Sequence, residues 1–116
     1  MMKRDCLFCK IINKEFPSEI IGENSLSLAF RDINPQAPSH ILIIPKMHIP
    51  STIDINRENS FYLIEMLLLA NEIAEVENIL QNGYRWVMNT GNHGGQTIGH
   101  LHLHLLGGRQ LNWPPG

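Results

Sequence analysis

Three histidines alternate with leucines near the end of the chain, at His100, His102 and His104. Side chains two residues apart in a β-strand point to the same face, so the three imidazoles are predicted to line one face and the leucines the other. A neutral imidazole can attack phosphorus, and a charged one can donate a proton. The row could therefore serve phosphate chemistry, a structural metal site or a solvated surface.

Geometry restricts the metal alternative for these histidines. The outer two Cα atoms of a straight strand of this length lie roughly 13 Å apart. Zinc binds imidazole nitrogen at about 2.1 Å, so three rings on one straight strand hardly reach a single ion. Two of the three could share a metal, and the third would be left for other work.

A second candidate is the C-x-x-C motif formed by Cys6 and Cys9. A thioredoxin-like redox pair would need a βαβ context, which the following sequence does not show. A disulfide across two residues is strained and is rare in a reducing compartment. Half of a tetrahedral zinc site is the third interpretation, and it requires two more ligands.

A glycine-rich segment, residues 91–97, lies just before the histidines. Glycine lets backbone N–H groups approach a phosphate closely, although the same composition is typical of a plain loop with a turn. Asp32 offers two acceptor oxygens, which suits the binding of hydroxyl groups, but an aspartate that caps a turn is also common.

Hydrophobic periodicity predicts the elements that position these residues. The apolar residues Phe61, Ile64, Leu68 and Ile79 recur at helical spacing and indicate one long helix. Alternating or continuous apolar runs indicate strands, and Asn34-Pro35 and Ala37-Pro38 indicate a loop over 33–39. The predicted helices are 7–14 and about 58–80, and the predicted strands are 19–31, 40–44, 84–89 and 100–106. Neighbouring strands with one long helix and a short N-terminal helix predict an α+β fold with an antiparallel sheet.

Composition limits the class of protein. The chain has 116 residues, which suits a single domain over 1–116. Its net charge of −2 provides no basic field for nucleic acid, and charged residues at 17% are typical of a globular protein. The sequence shows neither a signal peptide nor a membrane anchor, so we expect no membrane partner and a cytoplasmic location.

The string His-Leu-His-Leu-His-Leu-Leu over 100–106 resembles the signature of the histidine triad (HIT) family. The surrounding sequence resembles it too, in order along the chain: Asp32-Ile33, Ser39-His40, Ile44-Pro45-Lys46 and Gly94-Gly95-Gln96-Thr97. The ending, Leu106-Gly107-Gly108-Arg109-Gln110 and then Trp113-Pro114-Pro115-Gly116, resembles the histidine triad nucleotide-binding (Hint) branch. The resemblance covers essentially the whole chain and implies a HIT-like fold.

The resemblance implies a nucleotide-binding hydrolase acting on purine nucleoside phosphoramidates. In the family the middle histidine, here His102, attacks the α-phosphorus and forms a nucleotidyl-histidine intermediate that water hydrolyses. His104 matches the histidine that contacts the phosphate, and His100 and His40 match the pair that positions the triad. His40 alone could equally be a buried core histidine.

The same resemblance assigns substrate-binding residues. Asp32 matches the residue that accepts hydrogen bonds from the two ribose hydroxyls, and Asn89 matches a phosphate-side contact. Gly95, Gln96 and Thr97 match the segment beside the phosphate and the leaving group; many relatives have serine at the last position. The apolar walls of the base pocket match Phe8, Ile11, Phe16, Phe30 and Ile33.

The resemblance to family members that keep the cysteine pair implies a zinc site, whose ligands match Cys6, Cys9, His48 and His100 here. Four protein ligands leave no open position for water, so the zinc would be structural. The family forms homodimers in which the C-terminal segment reaches the other subunit's site, and this implies that Trp113 lies near the partner's substrate.

Two other functions are compatible with these residues. A dinucleoside polyphosphate hydrolase would use the same chemistry, although the Trp113-Pro114-Pro115-Gly116 ending is typical of the Hint branch. A nucleotide-sensing or partner-binding module with incidental turnover would use the same pocket. A purely structural zinc protein leaves His102 and His104 unexplained.

Overall fold

The computed structural model describes residues 3–116. Five antiparallel strands form one sheet in the order β1-β2-β3-β5-β4. The strands are β1 (Ile20–Glu23), β2 (Ser27–Arg31), β3 (Ser39–Pro45), β4 (Tyr84–Val87) and β5 (Leu103–Gly107). The helices are α1 (Leu7–Ile12), α2 (Ser60–Val76) and the short α3 (Gly91–Gly94), with a 3-10 turn at Thr52–Asp54. The α+β fold with one long helix is confirmed.

The central strand β3 reads Ser-His-Ile-Leu-Ile-Ile-Pro and is buried along its whole length. β-branched and apolar residues suit a strand covered on both faces, and Pro45, which lacks a backbone N–H, ends it. On one side β3 pairs with β2 and on the other with β5, where Leu42 lies opposite His104 and His40 opposite Leu106. This register places His40 and the triad strand next to each other.

Each face of the sheet has its own apolar core. Leu101, Leu103 and Leu105 are buried against α2, together with Met66 and Ile73. The opposite face packs α1 against a second cluster of buried residues from α1, β2 and β3: Cys6, Phe8, Cys9, Ile11, Leu28, Phe30, Leu42 and Ile44. The rings of His100 and His102 contact Phe8 edge to face, so the histidines and leucines separate onto opposite faces as the alternation predicts.

Several predicted boundaries are wrong. The single strand over 19–31 is a hairpin, because the Asn24 side chain accepts hydrogen bonds from the N–H groups of Leu26 and Ser27 and turns the chain. The triad strand begins only at Leu103, so His100 and His102 precede it. The long helix ends at Val76, the strand over 84–89 ends at Val87, and part of the glycine-rich loop forms α3.

The long helix is confirmed, but the apolar residues that predicted it do not form its buried side. Phe61, Ile64 and Leu68 are 48%, 55% and 49% exposed, whereas the sheet is covered by Met66, Leu69, Ala70, Ile73 and Ala74. The helix is therefore apolar on two sides. Across residues 3–116, no helix is both long enough and apolar enough to span a membrane.

Candidate active site

His102 is 8% exposed and its ring is held in one orientation. Its Nδ1 lies 2.7 Å from the carbonyl oxygen of His100. A carbonyl oxygen can only accept, so Nδ1 carries the proton and donates. In the neutral ring the lone pair is therefore on Nε2. Such a nitrogen is a nucleophile of defined position.

His40 and His104 form a directly bonded pair on adjacent strands. The N–H of Gln36 donates to Nδ1 of His40 at 3.0 Å, so the proton of a neutral His40 is on Nε2. That Nε2 lies 2.9 Å from Nδ1 of His104, which must accept. The proton of His104 is then on Nε2. The pair therefore presents His104 as a hydrogen-bond donor.

Burial keeps this pair neutral. It lowers the pKa of His104 to about 4, with smaller effects of the same sign from His102 and His40. It also lowers the pKa of His40, against which the Asp32 carboxylate acts in the opposite direction. Burial dominates because removing a charged imidazole from water costs more than one neighbouring carboxylate recovers here.

Asp32 lies next to His40 of this pair. Its Oδ1 accepts from the N–H of Asn34 at 2.8 Å, and its Oδ2 lies 3.4 Å from Nε2 of His40. The carboxylate therefore closes the loop after β2 and borders the histidine pair. Its side chain is 18% exposed, and a carboxylate oxygen has a second lone pair with which it can accept from a ligand.

The cysteine pair lies close to two histidines at the start of α1. The ring Nδ1 of His100 lies 3.3 Å from Sγ of Cys6 and 3.6 Å from Sγ of Cys9. The ring Nδ1 of His48 lies 3.4 Å from Sγ of Cys9 and 3.1 Å from Nδ1 of His100. All four ligand atoms lie within 4.8 Å of one another.

These distances fit a tetrahedral metal site. Ligand atoms around zinc at about 2.3 Å for sulfur and about 2.1 Å for nitrogen are separated by roughly 3.4–3.8 Å. His100 is in the ligating form, because its Nε2–H donates to the carbonyl oxygen of Pro45 at 3.0 Å and Nδ1 keeps its lone pair. Burial lowers the pKa of His100 to about 4, and it raises the pKa of the Cys9 thiol. A cation would compensate that cost for the thiolate.

The segment before the triad is shaped by side-chain bonds. Gly95 ends α3 in the left-handed region, at a φ of +83°, which glycine adopts without strain. The amide of Gln96 accepts from the N–H of Gly91 and donates to the carbonyl oxygens of Pro50 and Ile98. Gln96 therefore braces the loop, while the exposed Thr97 and the partly buried Asn89 remain beside it.

The structure brings only part of the predicted base pocket into the interior. Phe8, Ile11 and Phe30 are at most 4% exposed in the core below the sheet. Phe16 and Ile33 are 44% and 95% exposed and lie open to solvent. Phe8, Ile11 and Phe30 therefore belong to one buried apolar cluster, and Phe16 and Ile33 do not.

Sequence reasoning missed a groove that extends from Asn89 along the face of the sheet that carries His104. The strand register places Arg85 opposite Leu106 and Val87 opposite His104. The groove has a volume of about 600 Å³, and its lining includes Gln36, Arg85, Asn89 and Arg109. The exposed Trp113 lies beside it, under the guanidinium of Arg85 at 5.9 Å. The sequence did offer a signal: in a predicted strand, Arg85 and Val87 of Arg85-Trp86-Val87 share one face, and both line the groove.

Comparison with known proteins identifies the family. Residues 13–111 match the HIT domain. The purine nucleoside phosphoramidase of Escherichia coli K12 is 51% identical over 110 residues, covering 95% of this chain and 92% of that protein. A HIT family hydrolase from Legionella pneumophila superposes with a TM-score of 0.94 at 51% identity, covering 97% of this chain and 100% of the other. A histidine triad nucleotide-binding protein from Candida albicans gives 0.80 at 32% identity, covering 95% and 83%.

The chain belongs to the HIT family. The prediction of an enzyme of this family is confirmed by these relatives.

Proposed function

We propose that this HIT-family hydrolase cleaves the phosphorus–nitrogen bond of purine nucleoside phosphoramidates. The observation that carries the proposal is the bond from Nδ1 of His102 to the carbonyl of His100, which leaves Nε2 as an oriented nucleophile. The phosphoramidase of E. coli at 51% identity supports the choice of substrate.

In the first step Nε2 of His102 attacks the α-phosphorus and forms a phosphorus–nitrogen bond to the ring. The bond to the amine breaks, and its electron pair goes to the departing nitrogen. That nitrogen takes one proton from water, relayed by the exposed hydroxyl of Thr97, and leaves as a free amine. The product on the enzyme is a nucleotidyl-histidine.

In the second step water attacks the same phosphorus. Its oxygen bonds to phosphorus, its proton passes to the medium, and the electron pair of the phosphorus–Nε2 bond returns to the ring. The nucleoside monophosphate leaves and His102 is regenerated. Splitting the hydrolysis into two displacements at a positioned nitrogen is what covalent catalysis provides.

His104 stabilises the charge that develops on phosphate oxygens in both steps. Its Nε2 carries the proton because His40 donates to its Nδ1. A donor fixed before substrate binds stabilises the transition state without reorganising. His100 orients the nucleophile through its carbonyl oxygen, and His40 orients the donor.

The nucleotide is held by the surroundings of the triad. The carboxylate of Asp32 accepts from the ribose hydroxyls with the lone pairs that its contacts with Asn34 and His40 leave. The base lies over the apolar floor of Phe8, Ile11 and Phe30, with Phe16 and Ile33 closing over its edge. Asn89, Gly95, Gln96 and Thr97 border the phosphate, with Gln96 acting mainly through the loop that it braces.

Cys6, Cys9, His48 and His100 would hold a structural zinc ion. When bound, zinc would stabilise the thiolates and cross-link the start of α1, the loop after β3 and the segment before β5. The catalytic step does not require it, since the nucleophile and the donor are both imidazoles.

We further propose a homodimer formed around β4. This strand is at the edge of the sheet, and exposed edges attract pairing with another chain. Trp86 lies opposite Leu105, on the face of the sheet that α2 covers, and the side chains of Phe61, Ile64 and Leu68 on α2 are exposed. Such an apolar surface beside a free edge favours a second copy of the chain, which would bring the partner's Trp113 toward the leaving group.

The decisive experiment uses an adenosine phosphoramidate with a fluorogenic amine. Wild-type protein should release the amine, and His102→Ala should release none above background while binding the nucleoside monophosphate with similar affinity. Turnover by the variant would remove the nucleophile assignment. Binding without turnover by either protein would contradict the proposal and favour a nucleotide-sensing module.

A further inference from the structure

A turn after β5 holds the loop that follows β2. Gly108 lies in the left-handed region at a φ of +93°, and a Cβ there would lie 2.9 Å from Cβ of Pro38. Only glycine therefore lets the turn pack on that loop. The turn brings Nε and Nη2 of Arg109 to 3.3 and 2.9 Å from the carbonyl oxygen of Gln36.

The charge of Arg109 serves no ion pair among residues 3–116. Its remaining guanidinium donor, Nη1, bonds the carbonyl oxygen of Gln110 at 3.0 Å. The side chain therefore bonds backbone oxygens only. Two donors that converge on one carbonyl fix the position of that residue more firmly than a single bond would.

Gln36 transmits this constraint to the site. The carbonyl of Gln36 is held by Arg109, and the N–H of the same residue donates to Nδ1 of His40 at 3.0 Å. If that N–H moved away, His40 could carry its proton on Nδ1 and accept from His104 at Nε2. His104 would then lose the proton from its own Nε2. The Asp32 oxygen at 3.4 Å from Nε2 of His40 favours the native arrangement only in part.

We propose that Arg109 is a positioning residue, which acts through Gln36 to hold the His40–His104 pair in the tautomer that makes His104 a donor. The inference rests on the proposed role of His104 at the phosphate. Arg109 acts through the loop and the histidine pair and needs no contact with substrate.

The test combines ring-nitrogen NMR of ¹⁵N-histidine-labelled protein with steady-state kinetics. In wild type, His104 should show a protonated Nε2 and an unprotonated Nδ1. In Arg109→Ala the ¹⁵N chemical shifts of the two ring nitrogens of His104 should become more similar, because the two tautomers exchange. The kcat for the phosphoramidate should fall about tenfold, part of the roughly 10²–10⁴ that a positioned proton donor contributes. KM should stay within about twofold because the nucleotide contacts remain.

Arg85→Ala is the matched control, because it removes a guanidinium from the same groove without releasing Gln36. Its His104 spectrum should match wild type, whatever it does to leaving-group preference. If Arg109→Ala destabilises the fold, Arg109→Lys keeps the charge and stem but loses the two-donor geometry, and it should show the same shift in smaller degree. A wild-type histidine spectrum in a folded Arg109 variant would overturn the inference. Absence of turnover in wild type would instead overturn the proposed function, since the spectra do not depend on it.

Discussion

The ring Nδ1 of His102 donates to the carbonyl oxygen of His100 over 2.7 Å, and the ring of that same His100 faces two cysteine sulfurs. One residue therefore belongs to both the candidate metal centre and the candidate active site. Its side chain faces the sulfurs and its backbone orients the nucleophile. The position of the His100 ring at the sulfur cluster and the orientation of the His102 ring are therefore coupled through the backbone of one residue.

Metal content should depend on Cys9. We expect the purified protein to carry zinc and Cys9→Ser to carry far less, as measured by elemental analysis. Binding to the folded state at about 1,000 times Kd adds about 4 kcal/mol, so the melting temperature should fall by at least about 10 °C in the variant. Chelation of wild type should lower it similarly. An unchanged melting temperature in a metal-free protein would contradict a structural role for the cluster.

A partly buried ion pair should stabilise the junction of α2 with the sheet. Arg31 bonds Glu77 through two donors at 2.9 and 2.8 Å, and Ser39 donates to the same carboxylate at 2.7 Å. Arg31 holds the pKa of Glu77 below its usual value. Glu77→Gln should lower the free energy of unfolding by about 1–3 kcal/mol, measured in urea.

Glu19→Gln provides the control for that measurement. Glu19 also bonds Arg31, at 3.2 Å, but its side chain is 68% exposed. An exposed pair contributes roughly 0–1 kcal/mol, so this change should be nearly neutral. Equal losses in the two variants would show that burial of the Glu77 pair is unimportant.

Stability should depend on the protonation of His104. Its pKa is about 4 in the folded chain against an ordinary value of 6.5. Between these values the unfolded chain binds a proton that the folded chain does not, so this histidine lowers stability progressively as the pH falls from about 6.5 to about 4. Above about 6.5 both states are neutral and the effect vanishes. The direction is the same for His40, whose pKa is also lowered.

His104→Asn removes this proton from the linkage. Urea unfolding at about pH 7 and about pH 4.5 should show a smaller acid loss in the variant than in wild type. Both proteins keep the four candidate metal ligands, so any destabilisation from acid loss of metal is the same in both and cancels in the comparison. An identical pH dependence would mean that His104 is not kept neutral by burial.

The exposed stripe on α2 should mediate self-association. Ile64→Asp places a charge where Phe61, Ile64 and Leu68 form an apolar surface, and it should convert a dimer into a monomer in light-scattering chromatography. Ile53→Asp is the matched control, since Ile53 is 81% exposed in the 3-10 turn outside the stripe. If both variants remain dimeric, the interface lies elsewhere.

The C-terminal tail should influence which amine leaves. Arg85 holds the carbonyl oxygen of Asn112 at 2.9 Å, and Trp113 is 80% exposed beyond it. Deleting residues from Asn112 onward should alter the ranking of kcat/KM among amine leaving groups more than the affinity for the nucleoside monophosphate. A truncated protein with the wild-type ranking would show that the tail does not contact the leaving group.

The alternation of histidines and leucines was enough to predict from sequence which of these side chains share a face. Alternation requires opposite faces, and Leu101, Leu103 and Leu105 are buried opposite the imidazoles as expected. The order of motifs along the chain likewise identified the family, which the HIT domain match over 13–111 confirms. Periodicity indicated the existence of the long helix and the continuous apolar run indicated β3, but the periodic residues Phe61, Ile64 and Leu68 of the helix are exposed and do not mark its buried side.

Tertiary structure alone decided the contacts between residues distant in sequence. The hydrogen bond that sets the protonated nitrogen of His40 comes from Gln36, and the constraint on Gln36 comes from Arg109, 73 residues away. The bonds of Gln96 to Pro50 and of Arg31 to Glu77 are of the same kind. Which side of α2 faces the sheet was also decided in this way, because Phe61 and Met66 are both apolar and only packing separates them. Local patterns record which side chains avoid water, whereas a tautomer depends on a partner that folding brings within 3 Å.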